Sequence, residues 1–575
     1  MTNKNKIVGV ANHTLFILFS FLLFSCQYQK NESEIIGRSG QLVEVVTPEL
    51  YDSLPSFVFK QNGMYATGLF CVDLDNNGYM DVVDANGNDM CPQPLTIYNN
   101  WGKETGEPYY LPNYADDKGF NTRIKIGDLN KDGWQDIVMI SVFKRSQFNP
   151  ESFISQSDLN VSDLYKPGSV KVYMNNRGII PSTATYEIEL GAFPFDIDLG
   201  DFDADGDLDL AVANVGQLNE NGEFAPAKSV ICINENGILK NKKIWETDYS
   251  FNAMSIKFAD VNLDGLLDLT IGHSPGHVGE KKSKTNEAIS VFYGKLDSNT
   301  KIGIETNVGW SFGFGSSLAA VTLNIGLLRE GENSVPNKKD VAFLVGVQRV
   351  KEDEEAFKLV NSHRMLNSSN CLGEDFFVIG CQEKKIYWKT AATDMNVNKP
   401  SFSSMGDLNN DGYADLVLGF FKMEGGDLND GAPFFIFEGK RGDANGSRFK
   451  QIYRSKAHGV NQEIFLGYAR QYTKMKSNKI EQRRFTQVFS PNRPVITLPC
   501  NVVLSIDSVK VDQVIQNYGA YSWNYASNAL TLNTSVTHAV EVEVVYKTPL
   551  KKDIYIAYWN ANKGNAIYYS KYSKP

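Results

Sequence analysis

The sequence predicts an all-β protein assembled from an internal repeat, and three observations carry that expectation. The nine-residue pattern D-x-[DN]-x-[DN]-G-x-x-D occurs five times in 575 residues. The copies lead into short apolar runs, most with β-branched residues, which read as buried strands. Aromatic residues are plentiful, with 27 Tyr and 34 Phe, as suits β-rich structure. A chain of this length is too long for one ordinary compact core but fits one large repeat architecture with an appendage.

The first segment stands apart from the fold. Lys4 and Lys6 form a positive start, and Leu15 to Phe24 is apolar except for Ser20. That run suits a signal-peptide core and is too short to span a bilayer. It ends in Leu23-Phe24-Ser25-Cys26, which resembles the lipobox of bacterial lipoproteins. The resemblance implies a signal peptide over 1–25, lipidation of Cys26, a linker over 26–50 and anchoring in a membrane. Gln27 follows the cysteine where an Asp often retains lipoproteins at the inner membrane, so the outer membrane is expected, on its periplasmic side or at the cell surface. The run Gln29 to Glu34 loosely resembles the surface-export tether of Bacteroidetes lipoproteins.

The five loops come next. They span Asp73–Asp81, Asp128–Asp136, Asp201–Asp209, Asp260–Asp268 and Asp407–Asp415. Oxygen ligands are expected at positions one, three and five, with a backbone carbonyl at seven and a carboxylate at nine. In the first loop these are Asp73, Asp75, Asn77, Tyr79 and Asp81; in the second, Asp128, Asn130, Asp132, Trp134 and Asp136. The third offers Asp201, Asp203, Asp205, Asp207 and Asp209, and the fourth Asp260, Asn262, Asp264, Leu266 and Asp268. The fifth offers Asp407, Asn409, Asp411, Tyr413 and Asp415. Glycine at position six permits the turn that gathers them. An irregular, carboxylate-rich, all-oxygen cage suits calcium better than magnesium or zinc. Asp/Asn/Gly clusters also mark plain surface turns, but the same spacing five times over is not a turn statistic.

These loops are not EF-hands. That motif needs a following helix and a Glu at position twelve, where four of the copies have Met139, Val212, Ile271 and Leu418. They run instead into Asp136–Ile140, Asp209–Ala213, Asp268–Gly272 and Asp415–Gly419. In this the chain resembles the FG-GAP/VCBS repeats of integrin α-subunit propellers and of many bacterial surface proteins. The resemblance implies an about seven-bladed β-propeller, each motif being the calcium hairpin of one blade, and structural calcium at about five sites. A later strand follows most of the loop strands, at Leu95–Tyr98, Val170–Tyr173, Ile289–Tyr293 and Phe434–Phe437.

First loop aspartates lie 55, 73, 59 and 147 residues apart, so a blade without a motif is expected in the last gap. It is read as Ser311–Gly315 followed by Asp340–Gly346. A further blade would be closed by a terminal hairpin, Ile554–Tyr558 and Ala566–Tyr569, with a strand near Phe57–Phe59. The propeller is expected over 51–486 and the hairpin over 548–575. Between them, 487–547 reads as a small β-sandwich-like module with strands at Val502–Ile506, Ala529–Leu532 and Val540–Val545.

Formal charge is −10. The loops hold sixteen acidic side chains at ligand positions, and five divalent cations would neutralise most of that excess, so it says little about a cationic partner. Nothing favours nucleic-acid binding. Cys71/Cys91 and Cys371/Cys381 are close enough in sequence to pair, Cys500 completes the set, and Cys232 sits in an apolar run that suits a buried thiol. No nucleophile elbow, zinc-protease helix or phosphate loop occurs. His273 and His277 flank a polar loop that is read as a solvated excursion, with a binding loop as the alternative. Trp101, Tyr109, Tyr110, Trp245 and Trp310 are candidates for stacking on sugar, against blade packing for any one of them. Arg441-Gly442-Asp443 is read as a chance tripeptide. The expected function is adhesion, or binding of a glycan or protein ligand. The alternative is a polysaccharide-acting, lyase-like enzyme on the same scaffold.

Overall fold

The structure, a computed structural model, describes residues 51–570 with interruptions, the longest being 102–112, 146–164, 275–286, 331–339, 350–374, 424–430, 441–448 and 468–479. Every regular element among the described residues is a β-strand. None of the described residues forms a helix long and apolar enough to cross a membrane.

The strands gather into four-stranded antiparallel sheets in which hydrogen-bonding order follows chain order. Sheet A is Ala66–Val72, Met80–Asn86, Thr96–Trp101 and Asn113–Tyr114. Sheet B is Asn121–Gly127, Asp136–Arg145, Tyr165–Tyr173 and Tyr186–Glu189. Sheet C is Phe193–Gly200, Asp209–Leu218, Val230–Asn234 and Leu239–Glu246, with a fifth short strand, Phe224–Ala225, paired to the end of the second. Sheet D is Ala253–Ala259, Asp268–His273, Ile289–Phe292 and Trp310–Phe312. Sheet E is Leu318–Leu327, Val341–Arg349, Phe376–Gly380 and Lys385–Lys389. Sheet F is Val397–Gly406, Asp415–Met423, Phe435–Gly439 and Phe449–Arg454.

Sheet G joins the two ends of the described chain. Asn461–Gly467, Asp553–Tyr558 and Ala566–Tyr568 pair in order, and Phe57–Val58 adds to the last of them. The terminal hairpin and the N-terminal strand therefore meet in one sheet. First strands of successive sheets touch all the way round, A to B and onward to G, and G touches A again. The fold is a β-propeller.

Apolar clusters fill the spaces between successive sheets. Val83, Ile126 and Ile137 pack between A and B, and Ile140, Leu199 and Val212 between B and C. Val417, Ile464 and Ile556 pack between F and G, while Val82, Tyr555 and Ile567 close G onto A. Strands covered on both faces have no polar side to show, which is why they read as unbroken apolar runs.

In sheets A, B, C, D and F the acidic loop joins the first strand to the second. Position nine always registers with the residue before position one: Val72 with Asp81, Gly127 with Asp136, Gly200 with Asp209, Ala259 with Asp268 and Gly406 with Asp415. Sheet E has no such loop, as the 147-residue gap predicts, but its makeup differs from the expected one. Ser311 and Phe312 belong to the last strand of sheet D, paired with Ser290 and Ile289, and sheet E begins at Leu318. The Phe-Gly alternation there is the end of one sheet because Trp310 and Phe343 pack across the D–E interface.

The small module is inserted between the first and second strands of sheet G, where sheets A, B, C, D and F carry their acidic loop. One of its sheets pairs Ile480–Phe489 with Val540–Pro549 along their whole length and adds Ser505–Val511 and Val514–Ile515. The other is Val495–Thr497, Ala529–Leu532 and Tyr521–Asn524. Ile496, Leu530, Val542 and Val544 fill the core between them. The expected boundaries at 487 and 548 fall inside paired strands, so this unit runs from Ile480 to Pro549. Val502 to Leu504 form no strand; Ser505 begins it.

Candidate metal centres

Each acidic loop is shaped by its own short-range chemistry. The residue at position four takes the left-handed conformation in four loops: Asn76 at φ 52°, Lys131 at 60°, Ala204 at 57° and Leu263 at 55°. Non-glycine residues pay roughly 1–2 kcal/mol there, so the turn is held against local preference. The position-six glycines follow at φ between 86° and 95°. The first aspartate accepts two backbone bonds that close the turn. In the second loop its Oδ1 takes the Asp132 N–H at 3.1 Å and its Oδ2 the Gly133 N–H at 2.8 Å. The fourth and fifth loops repeat this pair with Asp260 and Asp407.

The ninth-position aspartate ties the loop to the sheet. In four loops its Oδ2 accepts the position-two N–H, as from Leu74 to Asp81 at 2.8 Å and from Leu408 to Asp415 at 2.8 Å. Its Oδ1 accepts the N–H two residues beyond the third-strand partner: Asn175 on Asp136, Asn234 on Asp209, Gly294 on Asp268 and Gly439 on Asp415, at 2.7 to 2.9 Å. Asn175 and Asn234 do more. The Asn175 amide donates to Leu74 O at 2.8 Å and Gln135 O at 3.0 Å, and the Asn234 amide to Leu129 O at 2.9 Å and Leu208 O at 3.2 Å. Each amide thus fastens one loop to the loop of the preceding sheet. Replacing Asn234 with Ala orphans two buried carbonyls, and we expect a loss of about 2 kcal/mol, read as a shift in denaturant midpoint at unchanged slope.

The carboxylates converge in the loop centres. Oxygens of Asp73, Asp75 and Asp81 lie within 4.8 Å of one another, as do those of Asp201, Asp203 and Asp209. In the other loops asparagine holds position three and its amide bonds the position-five carboxylate: Asn130 to Asp132 at 3.0 Å, Asn262 to Asp264 at 2.8 Å and Asn409 to Asp411 at 3.1 Å. The third loop has aspartate at both places. There Asp201 Oδ1 and Asp209 Oδ2 are buried with no hydrogen-bond partner. Of the carbonyls expected at position seven, those of Trp134, Asp207, Leu266 and Tyr413 follow the glycine turn, and Tyr79 lies outside the described residues.

Burial, and then repulsion between neighbours, makes these acids hard to ionise. Burial is the main cause throughout. It pushes Asp73, Asp128 and Asp203 up to about 6, and Asp136 and Asp260 to about 7. Asp415 rises to about 8, and Asp201, Asp209 and Asp268 rise well above the ordinary carboxylate range. A set of buried, mutually repelling oxygens with spare lone pairs is the donor set a hard divalent cation takes. The fit is met by converging carboxylates in the first and third loops, and most strongly in the third.

Other expected site residues fall elsewhere. His273 is buried, stacked on Phe251, and bonded through Nδ1 to Ser274 O and through Nε2 to Ser290 Oγ, both at 2.9 Å. Burial pushes it down to about 4, so it is a neutral core imidazole, not a loop residue. Trp245 and Trp310 are buried between sheets. Cys71, Cys232, Cys381 and Cys500 are buried thiols. Cys26, Cys91, Cys371, Tyr109, Tyr110, His277, the Arg441–Asp443 tripeptide and the side chain of Trp101 lie outside what is described.

Sequence reasoning missed Asp553. It registers with Gly467 as the ninth-position aspartates do with their partners, and its Oδ1 accepts the Ser570 N–H at 2.8 Å. Asp553 is the ninth position of a sheet whose loop has given way to the inserted module. The signal was present, an Asp followed by the apolar run Ile554 to Tyr558.

No protein-family model matches the sequence, and no curated protein does. Among solved structures, BBS1N in complex with ARL6DN matches at 9% identity and a TM-score of 0.38, covering 86% of this chain and 100% of that one. Sqt1 of Saccharomyces cerevisiae matches at 9% identity and 0.37, covering 74% and 94%. At these scores the likeness carries no weight beside the strand order and the loops.

Proposed function

We propose that this chain is a calcium-stabilised surface lipoprotein of the FG-GAP/VCBS type, whose propeller binds a glycan or protein ligand. Sheets A to G are its seven blades, and 480–549 is a β-sandwich module in the seventh. Calcium sits in the five acidic loops as a structural staple, held by the carboxylates and asparagines at positions one, three, five and nine with the carbonyl at seven. Lipidation of Cys26 would tether the chain to the outer membrane.

The observation that carries the calcium reading is the third loop, where two buried carboxylate oxygens have no donor at all. An uncompensated buried acid costs several kcal/mol, and a cation between Asp201, Asp203, Asp205 and Asp209 removes that cost. The binding role rests on the long connections between strands, the usual place for ligand surfaces on a rigid repeat scaffold. It is tested with a glycan array and a protein pull-down using the purified chain with calcium and with EGTA. Calcium-dependent capture of a defined ligand supports it; turnover of an acidic polysaccharide with release of unsaturated ends would replace it with the lyase-like reading.

The raised carboxyls also set a pH dependence. Without cation, the loop acids hold protons more tightly folded than unfolded, so that stability is present below pH about 4 and is lost as pH rises through 6 to 8. Calcium competes with those protons, so the loaded protein weakens in the opposite direction, as pH falls. Thermal midpoints at pH 5.5 and 8 should therefore rank oppositely with EGTA and with calcium. The same ranking under both conditions contradicts this.

A further inference from the structure

The inserted module lies along an arc of loops, and its contacts fall on the loops themselves. Over the third loop, Ser522 Oγ donates to Asp201 Oδ2 at 3.3 Å, and the Asn524 amide donates to Leu199 O. Over the fourth, the Val495 N–H donates to Gly265 O at 3.0 Å and the Arg493 guanidinium to Leu263 O at 3.4 Å. Where sheet E has lost its loop, Asn501 bonds both backbone groups of Leu327, at 2.9 and 3.0 Å.

The position-six glycines mark the closest approach. A Cβ on Gly206 would lie 2.2 Å from Asn533 Oδ1, and one on Gly265 would lie 2.6 Å from Arg493 Cβ. On the second loop, the Tyr518 ring lies 3.7 Å from the Cβ position of Gly133. The first loop lies off this arc: its described contacts run to the neighbouring sheet, through Asn76 on Gly133 O and Asn175 on Leu74 O.

The groups that the module reads are therefore turn carbonyls, a turn carboxylate and glycine faces. All belong to backbone that local preference opposes, and a cation in the loop would hold it in place. We infer that the second, third and fourth loops form a docking surface whose occupant is the chain's own 480–549 module. Cation occupancy of those loops decides whether the module stays docked. The inference rests on the calcium reading of the loops and adds a regulated interface to it.

Docking has a consequence at the ring axis. A cavity of about 190 Å³ lies among the first strands, lined by Arg123, Lys125, Asp196, Lys257 and Phe402. Its wall on the module side is Asn501 to Leu504. A module that leaves its loops takes this part of the cavity wall with it.

The test is hydrogen–deuterium exchange on the whole purified protein with calcium, with EGTA, and in two variants, beside calorimetric calcium titration of the same samples. The variant Asp203→Asn/Asp205→Asn weakens the third site without touching the Ser522 contact, and Asp75→Asn weakens the first site off the arc. We expect the Val495 and Asn501 region to exchange about tenfold faster or more in EGTA and in the third-loop variant, and at the calcium-loaded rate in the first-loop variant. Uptake of calcium with unchanged protection of the module overturns this inference alone. Absence of uptake overturns the calcium reading itself. Equal loss of protection in both variants would show general loosening of the ring and would also overturn the specific interface.

Discussion

Chelation with EGTA is expected to lower the thermal midpoint on the order of 20 °C, the largest effect the fold predicts. A ligand that binds only the folded chain stabilises it by about 2.7 kcal/mol per site at a hundredfold excess over Kd. Five such sites sum to about 13 kcal/mol, which rivals the whole stability of a typical domain. The loops are placed to deliver that effect: each spans the first two strands of a sheet, and the Asn175 and Asn234 amides link one loop to the next. Losing the cations would leave buried aspartates facing one another across the Asp201–Asp209 turn. Scanning calorimetry with calcium, and then with EGTA followed by excess calcium, measures the drop and its recovery. A midpoint that moves by less than a few degrees contradicts the staple role.

The second large effect is expected at Lys552. Its ammonium is buried, 3.2 Å from Glu330 Oε2 and 2.8 Å from the Asp407 carbonyl, while Glu330 Oε1 accepts the Asp407 N–H at 3.0 Å. The Glu330 N–H in turn donates to Gly412 O at 3.1 Å. Three elements meet here: the connection that replaces the loop of sheet E, the fifth loop, and the end of the inserted module. Removing one partner of a buried pair strands the other's charge at a cost of about 3–5 kcal/mol. Lys552→Met should therefore destabilise by that amount. Lys552→Met combined with Glu330→Gln should recover part of it, because no net charge is then left buried. Chemical denaturation of both variants at saturating calcium decides this. A single variant within 1 kcal/mol of the parent would show that the pair is screened and has no such role.

Much of this was legible in the sequence because the repeat writes one physical constraint five times. Position nine had to be aspartate because it accepts N–H groups from its own loop and from the third strand, and position six had to be glycine because φ is near 90° there. The strands after the loops were legible because both of their faces are covered. Sheet E was harder to read. Without a loop to anchor the register, Leu318 to Leu327 is one more apolar run, and Ser311–Gly315 looks as plausible a start.

Sheet G was hidden for a different reason. Its first strand, Asn461–Gly467, is separated from Asp553 by a whole module, and no local pattern tells that these residues pair. The linking amides, Asn175 and Asn234, were also illegible, since a buried asparagine and a turn asparagine look alike until the neighbouring sheet is in place.

Five matched turns that each grip one divalent cation should reveal themselves in isothermal titration of the purified, cation-stripped protein with calcium. Saturable uptake of about five equivalents is expected, falling to about four when Asp203 and Asp205 are replaced by asparagine. Uptake of none, or a stoichiometry that the third-loop replacement leaves unchanged, would contradict it.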